Sequence, residues 1–146
     1  MPPFKLRKLD HVVLRVRDLD ASLKFYRDAL GCTVEKHQEA VGLMQVRAGE
    51  SLIDLVPLDG KLGRMGGAGP GAEGRNLDHF AIQIAPYDEA AIRAHLAAQG
   101  VEIGEAGRRY GAEGDGPSLY LRDPDGNVVE LKGPPDNASV VSVDLV

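Results

Sequence analysis

The sequence predicts an α+β fold built from two tandem βαβββ modules, and three observations carry that prediction. The stretch Leu9-Asp10-His11-Val12-Val13-Leu14-Arg15-Val16 returns as Leu77-Asp78-His79-Phe80-Ala81-Ile82-Gln83-Ile84, at an offset of 79 − 11 = 68 residues. That is too long for a solenoid period and suits a duplicated supersecondary unit. Each copy is followed by a helical pattern stopped by glycine, at Gly31 and Gly100, and then by strand-like runs. A glycine-rich segment separates the copies, so module one spans about 9–58, a linker 59–76, module two about 77–133 and a tail 134–146 of one domain, 1–146.

Taken in order, the first strand alternates, so Val12, Leu14 and Val16 face a covering helix while His11, Val13 and Arg15 line the opposite face. The second copy alternates in the same sense, and both histidines point away from the helix side. Asp18 or Asp20 caps a helix through Leu30, with Leu19, Leu23, Tyr26 and Leu30 at helical spacing. Residues 32–48 read as two strands with a polar bend at 35–39, and 48–51 as a turn. Leu52-Ile53-Asp54-Leu55-Val56 is a strand that is apolar except for its central carboxylate. The glycines at 60, 63, 66, 67, 69, 71 and 74 exclude regular structure from the linker, and no phosphate-loop pattern is present.

The second half repeats the scheme with a helix over 87–99, a strand from Val101, a glycine-broken loop over 107–117 and a strand over 118–122. Asp123-Pro124-Asp125-Gly126 is a type I turn before the last strand, 127–132. The apolar run 140–146 reads as an added edge strand or a contact with a neighbouring chain.

Composition bounds the function. With 17 Lys and Arg against 22 Asp and Glu the net charge is −5, and no basic cluster reverses it locally, which argues against nucleic acid and anionic membrane surfaces as partners. A hydrophobic fraction of 43% and a charged fraction of 27% are ordinary for a globular domain. The lone Cys32 makes no internal disulfide and reads as a small core residue. No apolar run follows Lys5-Leu6-Arg7-Lys8, so neither signal peptide nor anchor is expected, and the compartment expected is the cytoplasm. The module edges and the apolar tail predict a homodimer.

The chemistry lies in two acids. Val128-Val129-Glu130-Leu131 embeds one carboxylate among apolar residues, as Ile53-Asp54-Leu55 does in the first module. A buried carboxylate must be protonated, paired or bound to a cation. By place in the repeat, His11 pairs with Asp54 and His79 with Glu130, at separations of 43 and 51 residues. Two histidines and two carboxylates form a four-ligand set suited to one divalent ion of the Ni, Zn, Co, Mn or Fe group, with positions open to water or substrate. Asp54, one methylene shorter than glutamate, is the weakest member and leaves open a contact through water. His37 and Tyr120 read as packing or surface residues, and His95 as a helix-boundary residue.

Over about residues 9–133 the chain resembles the vicinal oxygen chelate superfamily, which holds glyoxalase I, methylmalonyl-CoA epimerase, fosfomycin-resistance enzymes, extradiol dioxygenases and bleomycin-resistance proteins. The carriers of the resemblance are Asp10-His11 with Arg15, Phe25-Tyr26-Arg27-Asp28-Ala29-Leu30-Gly31, Leu77-Asp78-His79, and Asp123-Pro124-Asp125-Gly126-Asn127 leading to Glu130. The resemblance implies paired, strongly curved mixed sheets with helices outside, from modules paired within one chain or across a dimer. It implies metal ligands at His11, His79 and Glu130, with Asp54 where glyoxalase I has glutamate, and Glu130 and Asp54 as the catalytic carboxylates. Arg15 stands where glyoxalase I has an arginine that helps hold the glutathione carboxylate, which implies a substrate-binding role. The implied activity is a divalent-metal-dependent, glyoxalase-like lyase or isomerase acting on a small vicinal-oxygen substrate, thiol adducts included. The alternatives are an Fe(II) extradiol-type dioxygenase using His11, His79 and Glu130, and a non-catalytic drug-binding resistance protein.

Overall fold

A computed structural model describes residues 1–136, and the expected strand or contact over 140–146 lies outside the described residues. The described chain forms two compact units, Met1–Pro70 and Gly71 onward. Each carries a four-stranded mixed sheet.

In unit 1 the strands are β1 (His11–Val16), β2 (Thr33–Gln38), β3 (Leu43–Ala48) and β4 (Ser51–Pro57), in the order β1-β4-β3-β2. The first strand runs parallel to β4 and the other pairings are antiparallel. The predicted alternation holds: Leu14 and Val16 are fully buried while His11 and Val13 face out. Asp18 caps α1 (Leu19–Leu23) by accepting from the Ala21 amide. The helix then widens into a π-helical segment, Lys24–Ala29, closed by the Leu30 amide donating to the Phe25 carbonyl at 3.2 Å. This segment buries Phe25, Tyr26 and Ala29, with the two rings edge to face at 4.8 Å. The bend after β2 falls at a short helical turn, Glu39–Val41, and Gly42, at φ 71°, supplies the left-handed exit.

The segment after β4 contains a 3₁₀ turn, Gly63–Gly66, where the glycine content predicted no regular structure. The reason is side-chain anchoring. Arg15 donates from its two terminal nitrogens to the carbonyls of Gly63, Gly66, Gly67 and Ala68, at 2.6–3.1 Å. Arg17 likewise donates to the Pro70 carbonyl.

Unit 2 repeats the scheme with β5 (Phe80–Gln83), α2 (Glu89–Ala98), β6 (Glu102–Gly111), β7 (Gly114–Arg122) and β8 (Val128–Lys132), in the order β5-β8-β7-β6. Asp88 caps α2 as Asp18 caps α1. Its core is Leu96, Leu119, Leu121, Val129 and Leu131. The predicted loop over 107–117 is instead the tip of a long hairpin, in which Arg108 pairs with Pro117 and Gly111 with Gly114. The turn before β8 is as expected, and the buried Asp123 organises it by accepting from the amides of Asp125 and Asn127 and from the Asn127 side chain. Among the described residues no helix is long and apolar enough to cross a membrane.

Candidate functional site

The same arrangement of histidine and acid is built in each unit by the parallel strand pair. In unit 1, Val13 lies opposite Asp54, so His11, two residues earlier on the same face, reaches the acid. In unit 2, Ala81 lies opposite Glu130, and His79 takes the corresponding place. His11 Nε2 is 3.9 Å from Asp54 Oδ2, and His79 Nε2 is 3.3 Å from Glu130 Oε1. Both acids are buried, at 4% and 6% exposure, while the histidine side chains keep 44% and 38%.

Neighbouring strands hold the acids in place. Gln45, opposite Asp54 on β3, donates its side-chain amide to both Asp54 oxygens at 3.2 Å. The Ser118 hydroxyl on β7 donates to Glu130 Oε2 at 2.6 Å, which leaves Oε1 to face His79. Tyr120, opposite Glu130, sets its ring edge to face with His79 at 5.8 Å, and its hydroxyl accepts from Arg109 Nε at 3.2 Å. Burial is the main reason the Tyr120 phenol lies above its ordinary pKa, with Arg109 pulling the other way.

The histidine protons can be assigned from these distances. His11 Nδ1 is 2.7 Å from Asp10 Oδ1, and His79 Nδ1 is 2.6 Å from Asp78 Oδ2. An ionised carboxylate only accepts, so the hydrogen in each contact sits on Nδ1. The hydrogen bond His11 donates to Asp10 is also the main reason the His11 imidazole lies above its ordinary pKa, and the bond from His79 holds the Asp78 carboxyl below its own. In the neutral ring Nε2 is then an acceptor, and it faces a second acceptor, the buried carboxylate. Two facing acceptors repel each other, and a cation between them, a proton or a metal ion, relieves that repulsion.

The distances discriminate between the two pairs. Metal bonds of about 2.1 Å to nitrogen and oxygen, meeting at about 90–110°, separate the two donor atoms by roughly 3.0–3.4 Å. The His79–Glu130 separation of 3.3 Å falls in that window, and the His11–Asp54 separation of 3.9 Å exceeds it. The four ligand candidates are thus brought together two by two. Among the described residues no group of three or more His, Cys, Asp or Glu side chains is gathered in metal-holding geometry.

The other expected residues fall as follows. Arg15 is engaged with the loop carbonyls described above. His37 is exposed on β2 and His95 is exposed on α2. Cys32 is buried, and burial pushes its thiol up to about 11, consistent with a core residue. Sequence reasoning missed Gln45 and Ser118 as supports of the acids, and it ranked Tyr120 as a packing residue. Asn76, which donates to Asn127 at 3.1 Å and ties the entrance of β5 to the turn before β8, was also missed. No sequence signal marks Gln45 or Ser118, because strand register alone brings them to the acids. Asp10 and Asp78 were visible as part of the repeated triplet.

Comparison with known proteins agrees with the fold. The model of the Glyoxalase/Bleomycin resistance protein/Dioxygenase superfamily matches residues 8–131. Virulence protein STM3117 of Salmonella typhimurium is 28% identical over 130 residues, covering 85% of this chain and 82% of that protein. Metapyrocatechase 2 of Cupriavidus necator is 30% identical over 139 residues, covering 94% of this chain but 37% of that longer protein. Among solved structures, a Vibrio cholerae integron cassette protein superposes with a TM-score of 0.67 at 29% identity, covering 89% of this chain and 97% of that one. The fosfomycin resistance protein FosX of Listeria monocytogenes, solved with Mn(II) and sulfate, shares the fold at a TM-score of 0.66 and 20% identity, covering 90% and 94%. With two four-stranded mixed sheets of identical strand order and a family match over most of its length, the chain belongs to the glyoxalase/bleomycin resistance protein/dioxygenase superfamily.

Proposed function

We propose that this chain is a divalent-metal-dependent enzyme of the glyoxalase type, a lyase or isomerase acting on a small substrate with two neighbouring oxygens, thiol adducts included. Its ligand set is His11, His79, Glu130 and, directly or through water, Asp54, drawn from both units. The single observation behind this reading is the twice-repeated contact in which a histidine sets Nδ1 against an aspartate and turns Nε2 toward a buried carboxylate. Such a contact is completed by a cation. When bound, the ion supplies Lewis acidity to two substrate oxygens, and Ni, Zn, Co, Mn and Fe all suit this donor set.

The chain's own residues supply orientation and proton transfer. Ser118 fixes one oxygen of Glu130 and leaves the other directed at His79. Asp54 is the candidate to move a proton on the carbon next to a carbonyl, and Gln45 holds it in place by donating to both of its oxygens. Arg15 reaches a substrate carboxylate only by exchanging loop carbonyls for it. The active form we expect is a cytoplasmic homodimer.

A second reading, an Fe(II) ring-cleaving dioxygenase, draws on one observation. Asp54 gives both oxygens to Gln45 and stands 3.9 Å from His11, which favours leaving it out of the ligand set, so that His11, His79 and Glu130 would supply the two-histidine, one-carboxylate set of such enzymes. The likeness to metapyrocatechase 2 runs the same way.

The test compares wild type with Asp54→Asn after loading with each metal in turn. Label uptake from deuterated water by a 2-oxoaldehyde–thiol adduct is followed alongside oxygen consumption with a catechol. Solvent exchange in the wild type that is nearly abolished in the variant supports the isomerase. Oxygen uptake that survives in the variant supports the dioxygenase. Neither activity in fully loaded wild type removes both for these substrates and favours a binding protein.

A further inference from the structure

We propose that Asp10 and Asp78 are positioning residues that lock His11 and His79 as Nδ1–H tautomers, so that each ring turns its Nε2 lone pair toward the buried acid of its own unit. Two contacts compete on each ring. Each imidazole lies between two carboxylates, and in its neutral form it carries one proton to share between them. For His79 the contacts are 2.6 Å at Nδ1 with Asp78 and 3.3 Å at Nε2 with Glu130. For His11 they are 2.7 Å at Nδ1 with Asp10 and 3.9 Å at Nε2 with Asp54. A charge-assisted hydrogen bond is strongest near 2.7–2.9 Å, so in both units the proton belongs on the Asp side.

The arrangement arises twice from the same local geometry. The aspartate immediately precedes the histidine, which opens β1 in unit 1 and stands just before β5 in unit 2, and its exposed side chain folds back on the ring. In unit 2 a further link appears: Arg75 Nη2 donates to Asp78 Oδ1 at 3.3 Å while Oδ2 takes the histidine. His79 is therefore the more firmly oriented ring. Without the aspartate, Nε2 would take the proton and donate it to Glu130 or Asp54, occupying the lone pair that a metal needs. The tautomers are set in the metal-free protein, and their consequence for metal binding rests on the function proposed above. Outer carboxylates of this kind typically change metal affinity by about 10–100-fold.

The experiment reads the two parts separately. Nitrogen-15 shifts and long-range couplings of the ring nitrogens are recorded on metal-free protein, at a pH where both imidazoles are neutral. Wild type, Asp78→Ala, Asp78→Asn and the corresponding Asp10 variants are compared, and Mn(II) and Zn(II) affinities are measured by calorimetry. The expected result is Nδ1–H in both wild-type rings, with a shift of His79 toward Nε2–H in Asp78→Ala and of His11 in Asp10→Ala. The Asn variants, which keep an acceptor oxygen, retain the wild-type tautomer. Metal affinity should fall by about tenfold or more in the Ala variants and by less in the Asn variants. Unchanged tautomers in folded Ala variants overturn the proposal. Shifted tautomers in a protein whose wild type binds neither metal uphold it and overturn the metal reading instead.

Discussion

The two units place a histidine and an acid by the same strand register and finish the job differently. In unit 2, Glu130 commits one oxygen to Ser118 at 2.6 Å and keeps the other 3.3 Å from His79, at the separation a shared ion requires. In unit 1, Asp54 commits both oxygens to Gln45 at 3.2 Å and stays 3.9 Å from His11. One methylene accounts for the contrast. Equivalent backbones leave the shorter acid farther from the ring, and a side-chain amide on the adjoining strand satisfies the charge that remains. Under the proposed function, the first half would contact the ion through water or move a proton, and the second half would ligate it directly.

The largest effect we expect tests that asymmetry directly. Glu130→Gln should lower divalent-metal affinity by about 10–100-fold or more, and His79→Ala by at least as much, since losing a ligand outweighs losing an outer support. Asp54→Asn should cost less than about tenfold on the same scale. Calorimetric titration with Mn(II) and Zn(II) decides it, and equal losses for the two acids would break the comparison.

A second difference lies in the loop after β4, which unit 1 wraps around its Arg15 guanidinium. A Cβ on Gly66 would sit 2.5 Å from Arg15 Cζ, and one on Gly63 would collide with the backbone carbonyl of Pro57. Gly63→Ala should therefore destabilise the protein by about 1–3 kcal/mol, the usual cost of overpacking. Gly74→Ala, where a Cβ meets open space, should be near neutral. Urea unfolding of both variants checks this, and a Gly63→Ala protein as stable as wild type would show that the loop yields freely.

Much of this was legible in the residues, and what was not has a physical reason. The alternation in Val12-Val13-Leu14 and Phe80-Ala81-Ile82 fixed which faces carry the histidines, because strand side chains alternate whatever the partner strand. The equivalence of Asp54 and Glu130 followed from the repeat. The hairpin of β6 and β7 was misread because Gly107, Gly111, Gly114 and Gly116 signal a loop while the pairing that makes them strand is non-local. Its turn residues, Ala112 and Glu113, lack the Asn-Gly or Asp-Gly signature of a tight hairpin. Gln45 and Ser118 escaped for a related reason. Gln45 lies directly opposite Asp54, and Ser118 lies two positions along β7 from Tyr120, the residue opposite Glu130, both settled by register alone.

The smallest effect concerns the residue after each helix stop. Gly31 and Gly100 both take positive φ, at 82° and 71°, and the next amide donates back into the helix, from Cys32 to Tyr26 at 2.8 Å and from Val101 to Leu96 at 3.0 Å. The repeat thus sets a titratable side chain in unit 1 where unit 2 has a valine. Burial raises the Cys32 thiol from an ordinary 9.0 to about 11, so between those values the unfolded chain has lost a proton that the native chain keeps. The sign follows: the thiol's contribution to stability is fully present below pH 9 and declines as pH rises toward 11, by less than about 1 kcal/mol at pH 9.5. Cys32→Val makes the first unit like the second and removes this term. The stability difference between wild type and Cys32→Val should be flat from pH 7 to 8.5 and shift against the wild type above pH 9. Parallel curves over the whole range would mean that the thiol ionises as readily in the native state as in the unfolded one.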